Sequence, residues 1–425
     1  MRLVIVSYAF PPVGGAGVQR VLKFAKYLPS FGVAPTVLTA ENPSVPVADE
    51  TLLADVPPGV QVVRARTLEP DYKVKAAVWR NSTASAGGAA RIKRALSKAA
   101  RGLFVPDPQI LWLPAAAPAL RRLSADADAV LVSGPPFSPF LLTLIARAPV
   151  ILDYRDEWRT AAGYEMGSRL MRGAADTLEP ILVRRAAAII TATEEFRQNL
   201  LARYPELDPS RVVAIPNGYD PDDFADIAAA PPPLPYAPGR KFVVTYAGTI
   251  FRLTSPRGLL DGVRLLHARK PEIGKLLELR FAGRVVDTEQ PAFEGTEALG
   301  VRHLGYLSHG DAIKALAESH MVLCLLDDVP GAESIYPAKI FELMHLGRPC
   351  LAIAPPGALS RLCERHRLGV VAHPREPEAI ARVLEDAITA WQRGEALMGT
   401  RPEGVEAYHR RALAGRLAET IRGVA

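Results

Sequence analysis

Cysteine is scarce in this sequence. Only Cys324, Cys350 and Cys363 occur among its 425 residues, and no two of them form a C-x-x-C pair. That spacing is typical of structural zinc sites and of thiol redox sites. The scarcity therefore excludes a small disulfide-bonded scaffold, argues against a zinc site, and favours a protein of a reducing compartment.

Long apolar runs are also missing. No stretch reaches about 18 uninterrupted apolar residues, the length that a membrane-crossing helix requires. The opening residues MRLVIVSYAF are apolar for only a few positions before Pro11 and Pro12, so we predict a buried strand there instead of a signal peptide. With 49% hydrophobic and 23% charged residues, we expect a soluble, cytoplasmic globular protein. A length of 425 residues favours two domains.

Positive charge is in modest excess. The net charge is +6 and the isoelectric point is near 9.2, which is compatible with anionic partners. No basic motif interleaved with aromatic residues is present, so a nucleic-acid partner is not expected. The densest basic stretch, Arg91–Arg101, has two interpretations. It is a solvated helix face, or it is a peripheral contact with an anionic membrane at the inner face of the cell membrane.

Short, continuous apolar runs alternate with helical patterns in both halves of the chain, as expected for parallel strands that are covered on both faces. A proline-rich stretch, AAAPPPLPYAPGR, interrupts this alternation. We therefore predict an α/β protein of two Rossmann-like, doubly wound parallel-sheet domains that face one another across a cleft. The predicted segments are an N-terminal domain (1–225), a proline-rich linker (226–240), a C-terminal domain (241–402) and a helical tail (403–425). The predicted strands are Leu3–Val6, Thr36–Thr39, Ala129–Val132, Val150–Leu152, Ala188–Ile190, Val212–Ile215, Lys241–Tyr246, Leu279–Phe281, Val322–Leu326, Pro349–Ile353 and Gly369–Val371.

Glycines follow the first predicted strand. Gly14, Gly15 and Gly17 open a helix, where backbone can approach a ligand closely and free N–H groups attract a phosphate. A tight connection without a ligand is the alternative, because the spacing is neither G-x-G-x-x-G nor that of a P-loop.

Charged residues follow the strand at Val150–Leu152. Asp153, Arg155 and Asp156 fall at the rim of the predicted sheet, where catalytic groups belong. We interpret them as candidates for catalysis or acceptor binding. The alternative is a salt-bridged loop.

Basic residues follow the first strand of the second series. Arg252 and Arg257 come after the turn YAGTI and are candidates for pairing with a diphosphate. Further on, the stretch Tyr336–Met344 is typical of a helix that begins near a proline, with Lys339 and Glu342 on one face. Lys339 suits a phosphate and Glu342 suits sugar or ribose hydroxyls. A surface ion pair between them is the alternative.

No metal site is expected. The eight histidines lack spacings such as H-E-x-x-H, and His303, His309, His320 and His345 are interpreted as ordinary polar residues. Asp126 and Asp128 precede a strand, the wrong end for a ligand site, so Asp327-Asp328 is the remaining acidic pair that follows one. We predict a metal-independent reaction in which basic side chains and helix dipoles neutralise the leaving diphosphate.

Taken together, these segments resemble the large retaining glycosyltransferase family 4, which has the two-domain GT-B fold. The resemblance is carried by FPPVGGAGVQR, TATEEFRQNL, IPNGYDPDDF, YAGTI and YPAKIFELMHLGRPCLAI, in this order over nearly the whole chain. The segments SGPPFSPF and DYRDEW look like those of a branch associated with bacterial cell-surface polysaccharide synthesis.

The resemblance implies roles for individual residues. Gly15 and its neighbours would approach the donor diphosphate, Lys339 with Arg252 or Arg257 would hold it, and Glu342 would bind the donor ribose. The tail 403–425 would cross back to the N-terminal domain. The implied donor site also includes Thr249, Tyr306, Tyr336 and Ile340.

The sequence departs from the family pattern at three places. The family commonly has a glutamate eight residues before Glu342, where this chain has Ser334, with Glu333 one place off. The usual arginine after the glycine of the YAG turn is Thr249. Asp153 stands roughly where the family has a histidine.

The resemblance implies a mechanism without a protein nucleophile. In it, the acceptor hydroxyl attacks on the same face of the sugar from which the diphosphate leaves. We therefore expect transfer of a hexose or hexosamine from a UDP- or GDP-sugar to a glycan or lipid-linked acceptor. Two alternatives are a sugar-nucleotide 2-epimerase of the same architecture and a non-catalytic nucleotide- or glycan-binding scaffold subunit.

Overall fold

A computed structural model describes residues 1–45, 48–72, 104–161, 169–227, 233–395, 397 and 402–425. The basic stretch Arg91–Arg101 lies outside these residues. The described chain divides into two compact units. The first unit comprises Met1–Pro216 with Arg410–Ala425, and the second comprises Asn217–His409.

The first unit is built on a sheet of seven parallel strands in the order β3-β2-β1-β4-β5-β6-β7. Its central strands β4, β5 and β6 are buried at every residue, which explains their continuous apolar sequences. The strands are β1 (Arg2–Val6), β2 (Ala34–Ala40), β3 (Gln61–Ala65), β4 (Ala129–Gly134), β5 (Val150–Tyr154), β6 (Ala188–Thr191) and β7 (Val212–Ala214). The helices that follow them are α1 (Ala16–Tyr27), α2 (Leu113–Leu123), α3 (Trp158–Ala161), α4 (Arg169–Arg185) and α5 (Glu194–Arg203).

The second unit has six parallel strands in the order β10-β9-β8-β11-β12-β13. The strands are β8 (Phe242–Ala247), β9 (Leu277–Ala282), β10 (Val301–Gly305), β11 (Met321–Leu325), β12 (Cys350–Ile353) and β13 (Gly369–Ala372). The helices are α6 (Arg257–Arg269), α7 (Pro271–Gly274), α8 (His309–Ala317), α9 (Ile340–Leu346), α10 (Ala358–Arg365) and α11 (Pro377–Gln392).

Both sheets confirm the prediction of doubly wound parallel α/β folds. In each sheet the chain moves outward from its first strand in one direction, then returns and continues on the other side. The strand order therefore reverses between β1 and β4 in the first unit and between β8 and β11 in the second. Ligands of such sheets bind beyond the carboxyl ends of the strands at this reversal, so these two places are where functional residues are expected.

The N-terminal segment of the first unit ends at Pro216, which lies before the predicted linker at 226–240. The segment that follows has its partners inside the second unit. The backbone N–H of Tyr219 donates to the carbonyl of Tyr408 at 3.1 Å. The rings of Tyr219 and Phe224 pack on His345 of α9, with centroids 4.2 and 4.6 Å away. These contacts hold the IPNGYDPDDF segment, after its first two residues, in the second unit.

The last helix, α12 (Arg410–Val424), belongs to the first unit. Its apolar face buries Leu413, Leu417 and Ile421 in the same core as the apolar face of α1. Arg422 donates to the carbonyl of Phe31 at 2.8 Å. Helix α12 therefore completes the core of the first unit.

None of the helices in the described parts of the chain combines the length and the apolar character needed to cross a membrane.

Candidate functional site

The side chain of Lys339 reaches the carboxyl end of β8. Lys339 is the residue immediately before α9. Its Nζ donates to the carbonyl of Ala247 at 2.5 Å and lies 4.1 Å from the centroid of the Tyr246 ring. An ammonium group therefore sits beside β8, at the place where the strand order of this sheet reverses.

A glycine makes room for this ammonium. Gly248 has φ +147°, and a Cβ built on it would lie 1.8 Å from Nζ of Lys339. Its neighbour Gly283, with φ +137°, is equally restricted, because a Cβ there would lie 2.2 Å from the carbonyl oxygen of Gly248. The glycine of the YAG turn is thus required both by the backbone angle and by the lysine above it.

The loop after Gly248 is organised by hydroxyl groups. The carbonyl of Thr249 accepts from Tyr246 Oη at 3.1 Å and from Thr254 Oγ1 at 2.8 Å, while the Thr249 side chain is exposed. Arg252 is exposed, and no partner of its guanidinium is found among the described residues. By contrast, Arg257 pairs with Glu289 at 3.4 Å and donates to Thr288 O at 3.2 Å. Arg252 is therefore the more available of the two candidate arginines.

The predicted helix at Tyr336–Met344 begins later than expected. Helix α9 starts at Ile340, which is buried, and Tyr336 lies before it with its ring edge-on to Phe341 at 5.8 Å. Lys339 and Glu342, both described by the structure, do not form the surface ion pair that was the alternative interpretation. Lys339 turns to β8, while the Glu342 carboxylate lies 3.7 Å from Nε2 of His309.

Sequence reasoning missed the environment of Glu342. His309 Nε2 also lies 3.3 Å from Oδ2 of Asp223, so one imidazole contacts two carboxylates. His309 is the first residue of α8, and Asp223 lies in a 3-10 helix at Pro221–Ile227. The only signal in the sequence was a histidine that follows a strand, in LGYLSHGD, and it was interpreted as an ordinary polar residue.

The other predicted donor-side positions lie elsewhere in this unit. Tyr306 directly follows β10 and is 49% exposed. Ser334, at the position where the family commonly has a glutamate, is buried in a 3-10 helix at Ala332–Ser334, whereas Glu333 is exposed. A Cβ at Gly357 would lie 2.6 Å from Glu333 Cα. This turn is therefore packed tightly against the start of α10.

Acidic residues at the end of β11 are already engaged. Asp328 pairs with Arg375 at 2.9 Å and lies 3.6 Å from Nε2 of His373. Burial raises the pKa of Asp327. Among the described residues no three histidine, cysteine or carboxylate side chains are grouped so that they could hold a metal ion.

In the first unit, the glycine-rich turn stands at the amino end of α1. Gly15 caps the helix with φ +100°, and a Cβ there would meet nothing within 4 Å. Gly14 is half-buried and Gly17 is exposed in the first turn. The space around Gly15 is therefore open, and the free N–H groups of the helix start lie beside it.

Arg155 joins this turn to the end of β4. Its guanidinium donates to the carbonyl of Gly17 and, at 3.3 Å, to that of Gly134. Burial lowers the pKa of Arg155. The structure therefore brings together two segments that the sequence analysis singled out separately, the glycine-rich turn and DYRDEW.

Asp153 is buried and fully partnered. Its carboxylate accepts from Arg20 at 2.7 Å and from Ser133 Oγ at 2.8 Å, and neither Asp153 nor Arg20 is exposed by more than 1%. Arg20 also donates to the carbonyls of Ile215 and Pro216, each at 2.9 Å. This geometry ties α1, β5 and the chain after β7 together, which is the work of a positioning residue.

Asp156 differs from Asp153 in its exposure. It is partly exposed, and burial of its carboxyl raises its pKa while the neighbouring Arg155 opposes that shift. No hydrogen bond to its carboxylate is found among the described residues. Asp156 is thus the less buried of the two predicted catalytic carboxylates.

Comparison with known proteins agrees with this architecture. Residues 14–218 match the family described as glycosyl transferase 4-like domain. No curated protein matches the sequence.

Several solved structures share the fold over their whole length. HepE from Anabaena, solved with UDP and glucose, is 16% identical, with 99% of each chain covered and a TM-score of 0.61. WaaG, a glycosyltransferase of lipopolysaccharide biosynthesis, is 13% identical, with 99% of this chain and 100% of WaaG covered and a TM-score of 0.61. A putative UDP-N-acetylglucosamine 2-epimerase from Listeria monocytogenes is 14% identical, with 99% of this chain and 95% of that one covered and a TM-score of 0.52.

These findings confirm the resemblance to family 4 that the motifs indicated, and with it the GT-B fold. Residues 14–218 match the glycosyl transferase 4-like domain, and over 99% of its length the chain shares the fold of the glycosyltransferase WaaG.

Proposed function

We propose that the chain transfers a hexose or hexosamine from a UDP- or GDP-sugar to a glycan or lipid-linked acceptor, with retention of anomeric configuration. The proposal places the reaction in cell-surface polysaccharide synthesis and assigns no metal to it. Support comes from HepE, whose structure holds UDP and glucose, and from WaaG, which acts in lipopolysaccharide biosynthesis.

The observation that carries the proposal is the uncompensated charge of Lys339. Its recorded partners, a carbonyl oxygen and an aromatic ring, are both neutral. A cation at the end of β8 without a carboxylate beside it suits the diphosphate of a sugar nucleotide. The exposed guanidinium of Arg252 belongs to the same loop region and adds a second positive charge.

In the proposed reaction, the acceptor hydroxyl oxygen bonds to the anomeric carbon as the bond from that carbon to the diphosphate oxygen breaks. Both events occur on one face of the sugar, and the leaving phosphate takes the hydroxyl proton. Lys339 and Arg252 stabilise the negative charge that develops on the diphosphate. Glu342 binds the ribose of the donor, and Asp156 contacts the acceptor. Asp153 acts through Arg20 as a positioning residue.

The test measures release of UDP or GDP from a panel of sugar nucleotides, with and without lipid-linked acceptors and in the presence of EDTA. We expect turnover that EDTA does not abolish. Lys339→Ala and Glu342→Ala should each lower kcat/KM by roughly 10–100-fold, the usual worth of a charge-assisted hydrogen bond. Lys270→Ala is the matched control, because Lys270 is exposed and pairs with Glu385 at 2.5 Å.

Each alternative has its own outcome in this test. Nucleotide binding without turnover favours the scaffold, and release of a free 2-epimerised sugar without acceptor favours the epimerase. An inverted anomeric configuration in the product, read by NMR, contradicts retention. Wild-type kinetics in both Lys339→Ala and Glu342→Ala would remove the donor-site assignment.

A further inference from the structure

The imidazole of His309 lies between two carboxylates from different parts of the second unit. Its Nε2 is 3.3 Å from Oδ2 of Asp223 and 3.7 Å from Oε1 of Glu342. All three side chains are largely buried, with exposures of 22%, 12% and 20% respectively. Ionised carboxylates only accept hydrogen bonds, so an N–H at His309 Nε2 donates to Asp223, and Glu342 Oε1 lies just beyond hydrogen-bond distance of the same nitrogen.

The backbone fixes the position of this imidazole. His309 is the first residue of α8, and the preceding Ser308 caps that helix. Its Oγ accepts from the Asp311 N–H at 3.2 Å and donates to the Asp311 carboxylate at 2.7 Å. Because the helix start is held in both directions, the backbone from which the His309 imidazole extends is fixed.

The second carboxylate is fixed as well. Asp223 precedes Phe224, whose ring packs edge-on against His345 at 4.6 Å. His345 lies one helical turn after Glu342 on α9. The 3-10 helix that carries Asp223 and the helix that carries Glu342 are therefore packed together, and His309 meets both at one nitrogen.

We infer that His309 is a positioning residue for Glu342. The imidazole lies beside Oε1 at 3.7 Å, so that the other carboxylate oxygen can accept from the ribose hydroxyls of the donor. It also separates Glu342 from Asp223, whose like charge would otherwise turn the Glu342 carboxylate away. This inference rests on the proposed function, which gives Glu342 its ribose-binding role.

The experiment compares ribose with deoxyribose. Titration calorimetry measures binding of UDP, GDP and their 2′-deoxy counterparts to wild type and to the variants His309→Ala, His309→Gln and Glu342→Ala. We expect His309→Ala to bind the preferred ribonucleotide about tenfold more weakly, because the like charge of Asp223 then displaces the Glu342 carboxylate and its hydrogen bond to the ribose is lost. Binding of its 2′-deoxy counterpart should change little. The ratio of the affinity for the ribonucleotide to the affinity for its 2′-deoxy counterpart then falls, which a general loss of structure would not produce. His309→Gln should restore most of this ratio, because the glutamine amide also donates a hydrogen bond.

His373→Ala is the matched control, because His373 is 25% exposed and lies 3.6 Å from Asp328. It should keep the wild-type ratio. A wild-type ratio in His309→Ala together with a reduced ratio in Glu342→Ala overturns the role of His309. A wild-type ratio in Glu342→Ala, or no binding of UDP or GDP at all, overturns the proposed function instead. The variant with both changes should bind no more weakly than Glu342→Ala alone, because His309 acts only through that carboxylate.

Discussion

Replacing Gly248 with alanine tests the arrangement around Lys339 most directly. The added Cβ would lie 1.8 Å from Nζ and 3.0 Å from Cε of Lys339, on a backbone with φ +147°. Nζ is the end of a flexible side chain, so the lysine will swing away instead of forcing the sheet apart. The ammonium then loses the Ala247 carbonyl and the Tyr246 ring.

Three contributions set the size of the effect. An L-residue held in this backbone region costs about 1–3 kcal/mol. The cation–π contact contributes about 0.5–1 kcal/mol. The hydrogen bond of the ammonium contributes about 1 kcal/mol, at the low end for a charged donor because water reaches the partly exposed lysine. We therefore expect the free energy of unfolding to fall by about 2.5–5 kcal/mol. For a unit of this size that corresponds to a melting temperature lower by roughly 5–20 °C.

Calorimetry and urea unfolding of wild type and of four variants, Gly248→Ala, Gly295→Ala, Lys339→Ala and the double variant, separate these contributions. Gly295→Ala is the control for an alanine at positive φ without a steric contact, because Gly295 has φ +70° with nothing within 4 Å of a built Cβ. In a Lys339→Ala background, Gly248→Ala should cost only about the strain, which leaves a coupling energy of about 1–2 kcal/mol between the two sites. Gly248→Ala should also weaken nucleotide binding about tenfold. Equal costs for Gly248→Ala and Gly295→Ala, with no coupling to Lys339, would refute the reasoning.

Two further predictions concern buried polar groups. Asp153→Asn leaves the guanidinium of Arg20 buried without a counter-charge and should lower the free energy of unfolding in urea by about 3–5 kcal/mol. Asp156→Asn should cost under about 1 kcal/mol, since Asp156 is partly exposed; equal costs would contradict the buried pair. His320 Nδ1 accepts from the Val243 N–H at 2.9 Å, and burial lowers the pKa of His320. Below about pH 6.5 the unfolded chain takes up a proton that the folded state resists, so stability should fall as pH drops. In His320→Asn this fall should be smaller but not absent, because burial also lowers the pKa of His267 and His345; equal pH slopes would contradict the prediction.

The interior strands could be predicted from the sequence because both of their faces are buried. Each gave a continuous apolar run, and the order of the runs indicated two doubly wound sheets. Two strands, β3 and β10, were not predicted. Both lie at sheet edges, and their sequences QVVRA and VRHLG are mostly exposed or half-buried. These two edge strands contain charged residues, which weaken the apolar pattern. The other two edge strands, β7 (VVA) and β13 (GVVA), contain none and were predicted.

The candidate site was predictable in position but not in its contacts. Glycines, Lys339 and Glu342 fall near strand ends as the pattern indicated. The direction of Lys339, however, depends on the carbonyl of Ala247, which lies 92 residues away in the chain. The start of α9 was also misplaced, because a proline permits a helix start but does not require it. Here Pro337 forms a turn, in which its carbonyl accepts from the Ile340 N–H at 2.9 Å.

The partners of charged residues were the part that sequence could not supply. Asp153 was expected at the rim of the sheet, and it does lie at the end of β5. Its counter-charge, Arg20, is 133 residues away on α1 and hydrogen-bonds to it at two nitrogens. His309 likewise meets Asp223 across 86 residues. A single sequence contains no signal for such pairings, since each partner is common on the surfaces of helices and loops.

The two places of strand reversal differ in charge balance, and this difference bears on their roles. In the first unit, Arg20 beside β5 is neutralised by Asp153, and both are buried. In the second, the partners that Lys339 has beside β8 in the described part of the chain are neutral. A buried, satisfied ion pair gains nothing from an added anion, whereas an ammonium held by a carbonyl and a ring gains a full charge interaction from one. The diphosphate of the donor is therefore expected in the second unit. The first unit offers the partly exposed residue Asp156, which suits the hydroxyl groups of an acceptor.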